Sequence, residues 1–264
     1  MAAELRRVPL WQGTVDTEIE IAGTGAPLVY LHGPWGLPPD RDFVARLAET
    51  HTVYAPKHPG TSRGNTDAVH KLDTWLDLIV YYGELFDRLG LKSPIVVGHS
   101  FGALVAAEIA ATMPAAVSKL VLIDPIGLWR DEAPVRNWML LPEAERKTAL
   151  FADPDGAGAK RFFAVPTEAS ERVEALAGLV WAQACTGKFV WPIPDRGLNK
   201  HIHRIAAPTL IVWGAADAIV PPAYAKDFAA AIKGAKMITI AGAGHLPHLE
   251  KTAETICAMQ EFLR

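Results

Sequence analysis

The chain has 264 residues, of which 50% are hydrophobic and 21% charged, and its formal net charge is −3. That is enough apolar material for an α/β core with an insertion, while the weakly acidic balance lacks the basic footprint of a nucleic-acid binder. Two cysteines make neither a disulfide framework nor a metal cluster, and no stretch reaches the roughly 20 apolar residues of a membrane helix. The opening residues, Met1 to Leu10, lack the apolar run of a signal peptide, so a cytoplasmic location is expected.

Short apolar, β-branched runs punctuate the chain. Glu18-Ile-Glu-Ile21 alternates acid with isoleucine and predicts a half-buried edge strand. Leu28-Val-Tyr-Leu31, Thr52-Val-Tyr-Ala55, Ile95-Val-Val97, Leu120-Val-Leu-Ile123, Leu210-Ile-Val-Trp213 and Met237-Ile-Thr-Ile240 show no polar alternation. Such runs suit parallel strands covered on both faces.

Helical patterns lie between these runs. Asp73 reads as an N-cap, after which Trp75, Ile79, Tyr82, Phe86 and Leu89 recur on one face until Gly90. Residues 101–112 are Ala-rich and stop before Pro114, and residues 222–233 run from Pro221-Pro222 to Gly234. The alternation predicts an α/β fold, a mostly parallel, doubly wound sheet. It breaks over 126–204, which is helical and interrupted by Pro134, Pro142, Pro154, Pro166, Pro192 and Pro194. That stretch predicts a helical cap insertion over the C-terminal edge of a core made from 1–125 and 205–264. Ligands bind at that edge in α/β sheets.

Gly98-His-Ser-Phe-Gly102 matches G-x-S-x-G and stands between the run 95–97 and the helical pattern 101–112. Strand, turn and helix in that order are the setting of a nucleophile elbow, with Ser100 as nucleophile and flanking glycines because the turn is tight. The helix N-terminus beneath Ser100 favours developing negative charge.

With this elbow, Leu31-His-Gly33, Val53–Gly60, Leu210–Asp217 and Gly242-Ala-Gly-His245, nearly the whole chain resembles the α/β-hydrolase superfamily. It is most similar to lid-bearing serine hydrolases such as carboxylesterases and carbon–carbon bond hydrolases. The resemblance implies a Ser–His–Asp relay in the chain order Ser, acid, His. His245, directly after the glycine loop, is the implied base, with His248 as rival. Asp217, after the run 210–213, is the implied acid, and Asp124, which ends the run 120–123, is the alternative acid. The implied oxyanion hole needs two backbone N–H groups. One is Phe101. The other normally follows His-Gly, but Pro34 stands there without an N–H, so Trp35, or else Gly33, is the candidate. His32 reads as a hydrogen-bond partner of this loop.

Substrate contacts are expected from Trp35, Phe101, Trp129, Trp138 and Leu246, in a mainly apolar or aromatic pocket. Arg130, Arg136 and Arg161 lie in the cap, and one beside the pocket would favour cleavage of ring-fission ketones. The other histidines share no ligand spacing, so no metal and no cofactor is expected. The expected activity is hydrolysis of small carboxylic esters through an acyl-enzyme. Carbon–carbon bond hydrolysis, lactonase action and a non-enzymatic ligand receptor are the alternatives. Dehalogenase and epoxide hydrolase chemistry are disfavoured, since those relatives carry Asp at the elbow. No nucleic-acid or membrane partner is expected, and monomer and homodimer both stay open.

Overall fold

The computed structural model describes residues 3–62 and 64–264. Eight strands form one sheet: β1 (Glu4–Leu10), β2 (Val15–Ala22), β3 (Ala26–Leu31), β4 (His51–Pro56), β5 (Ile95–His99), β6 (Lys119–Ile123), β7 (Thr209–Gly214) and β8 (Lys236–Ile240). Their spatial order is β1-β2-β4-β3-β5-β6-β7-β8. β2 runs antiparallel to both neighbours, and from β4 to β8 every pairing is parallel.

Alternation along each parallel strand divides the core between two faces. Leu28, Tyr30, Val97, Val121, Ile123, Leu210 and Val212 pack under α1 (Arg41–Leu47) and α9 (Thr252–Leu263). Val29, Leu31, Val96, Leu120, Leu122, Ile211 and Trp213 pack under α2 (Trp75–Arg88), α3 (Phe101–Thr112) and α7 (Ala223–Ala231). Burial on both faces explains why these strands read as unbroken apolar runs.

Two local expectations are corrected. The run 18–21 belongs to β2 but is not the edge. β1 pairs outside it, from Glu4 opposite Ile21 to Leu10 opposite Val15. β1 escapes pattern reading because its first four residues are exposed and Pro9 lies within it, as suits an edge strand. The cap of α2 is Thr74, not Asp73: the Thr74 hydroxyl accepts from the Asp77 N–H, and the Asp77 carboxylate accepts from the Thr74 N–H.

Residues 126–204 hold α4 (Glu143–Leu150), α5 (Ala157–Phe162) and α6 (Ala169–Val190), and among the described residues they add no strand. Polar ties fasten this segment to the sheet's C-terminal rim. The Arg130 guanidinium grips both Asp227 oxygens on α7, and the Arg136 N–H donates to Ile219 O. Lys188 Nζ donates to the carbonyls of Val69 and Leu72, and the Trp181 indole to Gly60 O. Glu250, in α8 (Pro247–Glu250), accepts from the N–H groups of Ala152, Asp153 and Gly244. Among the described residues no helix is long and apolar enough to cross a membrane.

Candidate active site

The chain turns from β5 into α3 at Ser100, which has φ 52° and ψ −111°. A non-glycine residue in such a conformation stores about 1–3 kcal/mol, and the surrounding backbone enforces it. A Cβ on Gly102 would stand 2.0 Å from Leu31 O, and one on Gly98 2.4 Å from Gly102 O. The Ser100 N–H donates to Ile123 O, and its side chain makes no cap bond to the helix, so Oγ stays available.

His245 enters from the loop after β8. Gly214 and Gly244 approach so closely that a Cβ on the former would lie 1.8 Å from Gly244 O, which sets the loop against the end of β7. His245 Nε2 lies 2.9 Å from Ser100 Oγ, and Nδ1 lies 2.8 Å from Asp217 Oδ2. The partners define the tautomer: Nδ1–H donates to the carboxylate, which leaves the Nε2 lone pair for the hydroxyl. Asp217 Oδ1 accepts from the N–H groups of Ile219 and Val220, at 2.8 and 2.9 Å.

Asp217, not Asp124, meets the imidazole. Asp124 Oδ1 accepts from the Gly214 N–H at 2.9 Å. Burial first, and then the charge of Asp217, pushes the Asp124 carboxyl well above the usual carboxylate range. Asp124, Asp217 and His245 bring three ligand-type atoms within 4.8 Å of one another; two of the three are already joined by the Nδ1–Oδ2 bond.

His248, the rival base, is turned away from Ser100. It is buried in α8, its Nε2 lies 3.1 Å from Asp40 Oδ1, and Tyr30 OH donates to Asp40 Oδ2. Burial lowers its pKa to about 3. His99 packs beside it, ring centroids 4.2 Å apart, and donates from Nε2 to His245 O. Burial and the neighbouring histidines hold His99 well below its ordinary value. On the other side, His32 Nδ1 bonds Gly33 O, and its Nε2 accepts from the His58 N–H. His58 reaches Tyr82 OH and His32 O, and its ring meets Phe101 edge-on. Sequence reading singled out neither His58, His99 nor Asp40, because their partners lie in other elements; the one local hint is that His99 sits inside the elbow.

The Phe101 N–H opens α3, where no intrahelical acceptor exists. Neither it nor the Trp35 N–H is bonded to another atom of the described residues. The Trp35 ring is buried among His245, His99, Trp138 and Phe162. Leu246 is buried beside His245. Trp129 is corrected: its ring is exposed and its indole N–H donates to Asp131. Arg130, Arg136 and Arg161 pair with Asp227, Glu145 and Asp42. Ser100 and His245 have no exposed surface. A groove of about 160 Å³ is lined by Pro38, Gly158, Arg161, Phe162 and Leu249 among others.

Comparison with known proteins agrees with this architecture. The chain is 30% identical to polyketide synthase ThaQ of Burkholderia thailandensis over its whole length, although it spans only 13% of that protein. It is 28% identical to a pimeloyl-[acyl-carrier protein] methyl ester esterase of Aromatoleum aromaticum, covering 90% of this chain and 98% of the other. Naproxen esterase (carboxylesterase NP) of Bacillus subtilis shares the fold, with a TM-score of 0.75 at 16% identity over 99% of this chain and 92% of that one. A model of the α/β-hydrolase family matches residues 28–258. Spanning the parallel sheet, the elbow and the histidine loop together, that match makes the chain a member of the α/β-hydrolase family.

Proposed function

We propose that the protein is a serine hydrolase that cleaves carboxylic esters of small apolar or aromatic molecules through an acyl-enzyme. The observation that carries this reading is the continuous relay from Ser100 Oγ through His245 to Asp217, with both links under 3 Å. His245 Nε2 takes the Ser100 proton as Oγ attacks the ester carbonyl. The oxyanion rests on the Phe101 N–H and a second donor, for which Trp35 is the candidate, at the positive end of α3. On collapse the C–O bond breaks, and the alcohol leaves with the proton held by His245. Water, deprotonated by the same nitrogen, then releases the acid and restores Ser100. Asp217 holds the imidazole and stabilises its charged form.

Apolar or aromatic groups are supported by Trp35, which packs on the histidine and is itself backed by Trp138 and Phe162. The indole N–H groups of Trp35 and Trp138 have no acceptor among the described residues, which suits a substrate carrying additional carbonyl or ether oxygens. An ester substrate also accords with the similarity to a methyl ester esterase. Cleavage of ring-fission ketones has less support, because Arg130 and Arg136 are paired with Asp227 and Glu145.

The test is turnover of p-nitrophenyl butyrate and labelling by a fluorophosphonate. The reading expects turnover to fall about 10⁴-fold or more in Ser100→Ala, with Ser100 as the labelled residue. A wild type that neither turns over activated esters nor takes the label would instead be a ligand receptor on this fold.

A further inference from the structure

Four described non-glycine residues have positive φ. Trp11 and Gln12 share a surface turn; the other two are Ser100 and Asp124. Asp124 ends β6 at φ 42°, adjacent in the sheet to the turn that bears Ser100. Two strained residues side by side at one rim call for a reason beyond chain reversal.

The contacts of Asp124 supply one. It has no exposed surface, and Oδ1 accepts from the Gly214 N–H. Oδ2 is buried and meets no donor. Its neighbour, with an oxygen within 4.8 Å, is the Asp217 carboxyl, itself buried and already accepting three hydrogens, from Ile219, Val220 and His245. An oxygen facing another carboxyl oxygen in a dry site is satisfied only if one of them carries a proton. Asp217, rich in donors, is the carboxylate; Asp124, with one backbone donor, is the acid. The titratable groups facing Asp124 are Asp217 from the loop after β7 and His245 from the loop after β8. The β5–α3 turn contributes Ser100, whose N–H is spent on Ile123 O.

We propose that Asp124 is a positioning residue: a neutral carboxylic acid whose Oδ2–H donates to the Asp217 carboxylate and so moderates how strongly Asp217 draws on the His245 proton. This rests on the ester-hydrolase reading above. The hydrogen bond disperses part of the Asp217 charge and keeps its Oδ2 aligned on Nδ1. When Asp217 is removed, Asp124 is left as the one carboxyl of this cluster beside the imidazole and becomes its substitute partner.

The experiment is kcat and KM against pH for the purified full chain with p-nitrophenyl butyrate, in Asp124→Ala, Asp124→Asn, Asp217→Ala and the double variant Asp124→Asn/Asp217→Ala. Asp124→Ala removes the donor. Its kcat falls about tenfold or more with KM little changed, and the acid limb of kcat/KM moves up by about 0.5 pH unit, since a more basic Asp217 stabilises the imidazolium. Asp124→Asn keeps both a donor for Asp217 and an acceptor for Gly214, so it recovers kcat to within about fivefold of wild type and returns the acid limb to its place. Asp217→Ala retains about tenfold more activity than the double variant. If Asp124→Ala fails to fold, the comparison of the last two variants and the limb of Asp124→Asn still decide. An unmoved acid limb in a folded Asp124→Ala overturns the proposal, as does an Asn variant as impaired as the Ala variant, or a double variant equal to Asp217→Ala. Full activity in Ser100→Ala would instead overturn the ester-hydrolase reading itself.

Discussion

Trp35 sets its indole edge-on against the His245 imidazole, ring centroids 5.9 Å apart, and both residues are buried. The residue that follows Pro34 thus stands between the candidate base and the aromatics Trp138 and Phe162. Ser100 is equally enclosed.

Replacing Trp35 by alanine removes that ring. The cavity left behind costs about 3–5 kcal/mol of stability, read from urea denaturation. For a folded variant, kcat/KM for bulky aryl esters rises relative to that for acetate esters, by about threefold or more. An unchanged acyl preference would mean that the ring does not shape the pocket.

The start of α3 tolerates no side chain at residue 102. In Gly102→Ala the new Cβ, 2.0 Å from Leu31 O, forces β3 and α3 apart. The expected loss is about 3 kcal/mol or more, the upper end for overpacking, together with activity. A thermal melt near that of the wild type would show that the two elements are not pressed together.

Glu250 ties the segment after α4 to the histidine loop by accepting from Ala152, Asp153 and Gly244. Glu250→Ala releases all three N–H groups and lowers stability by about 1–2 kcal/mol. Because Gly244 directly precedes His245, kcat should fall more than KM rises. A variant with a lower melting temperature and intact kcat would make the tie purely structural.

The buried histidines make stability depend on pH. Burial pushes His32, His58, His99 and His248 down, the last to about 3. The unfolded chain takes up protons near pH 6.5 that the native state refuses, so their contribution is complete above about 6.5 and is progressively lost as pH falls below it. Asp40 and Asp124, pushed up by burial, act in the opposite sense: they hold protons that unfolding releases above about pH 4. The difference between wild type and His248→Gln isolates one histidine. The variant gains relative stability below pH 6.5 at up to about 1.4 kcal/mol per pH unit. A difference that stays constant from pH 7.5 to 4.5 would mean that His248 takes up its proton as readily in the fold as in the unfolded chain.

Much of this molecule is written locally. The parallel strands are apolar because both faces are covered, the elbow needs glycines on either side of Ser100, and Gly242 and Gly244 flag the loop that carries His245. These features depend on neighbours within a few residues, so the order of amino acids determined the layered α/β core and the positions of Ser100 and His245 in it. Other features depend on which distant segments meet. β1 is polar on its exposed edge and becomes a strand only against β2. Trp138 reaches Trp35 whereas Trp129, nine residues earlier, turns outward. The choice between Asp217 and Asp124 as partner of Nδ1 follows from the pairing of β6 with β7 and from the close approach of Gly214 to Gly244. Both carboxyls end strands at the same rim, so only tertiary structure could decide which one faces the imidazole. A hydrogen bond is set by ångström distances between strand ends, and no local pattern in the chain encodes those.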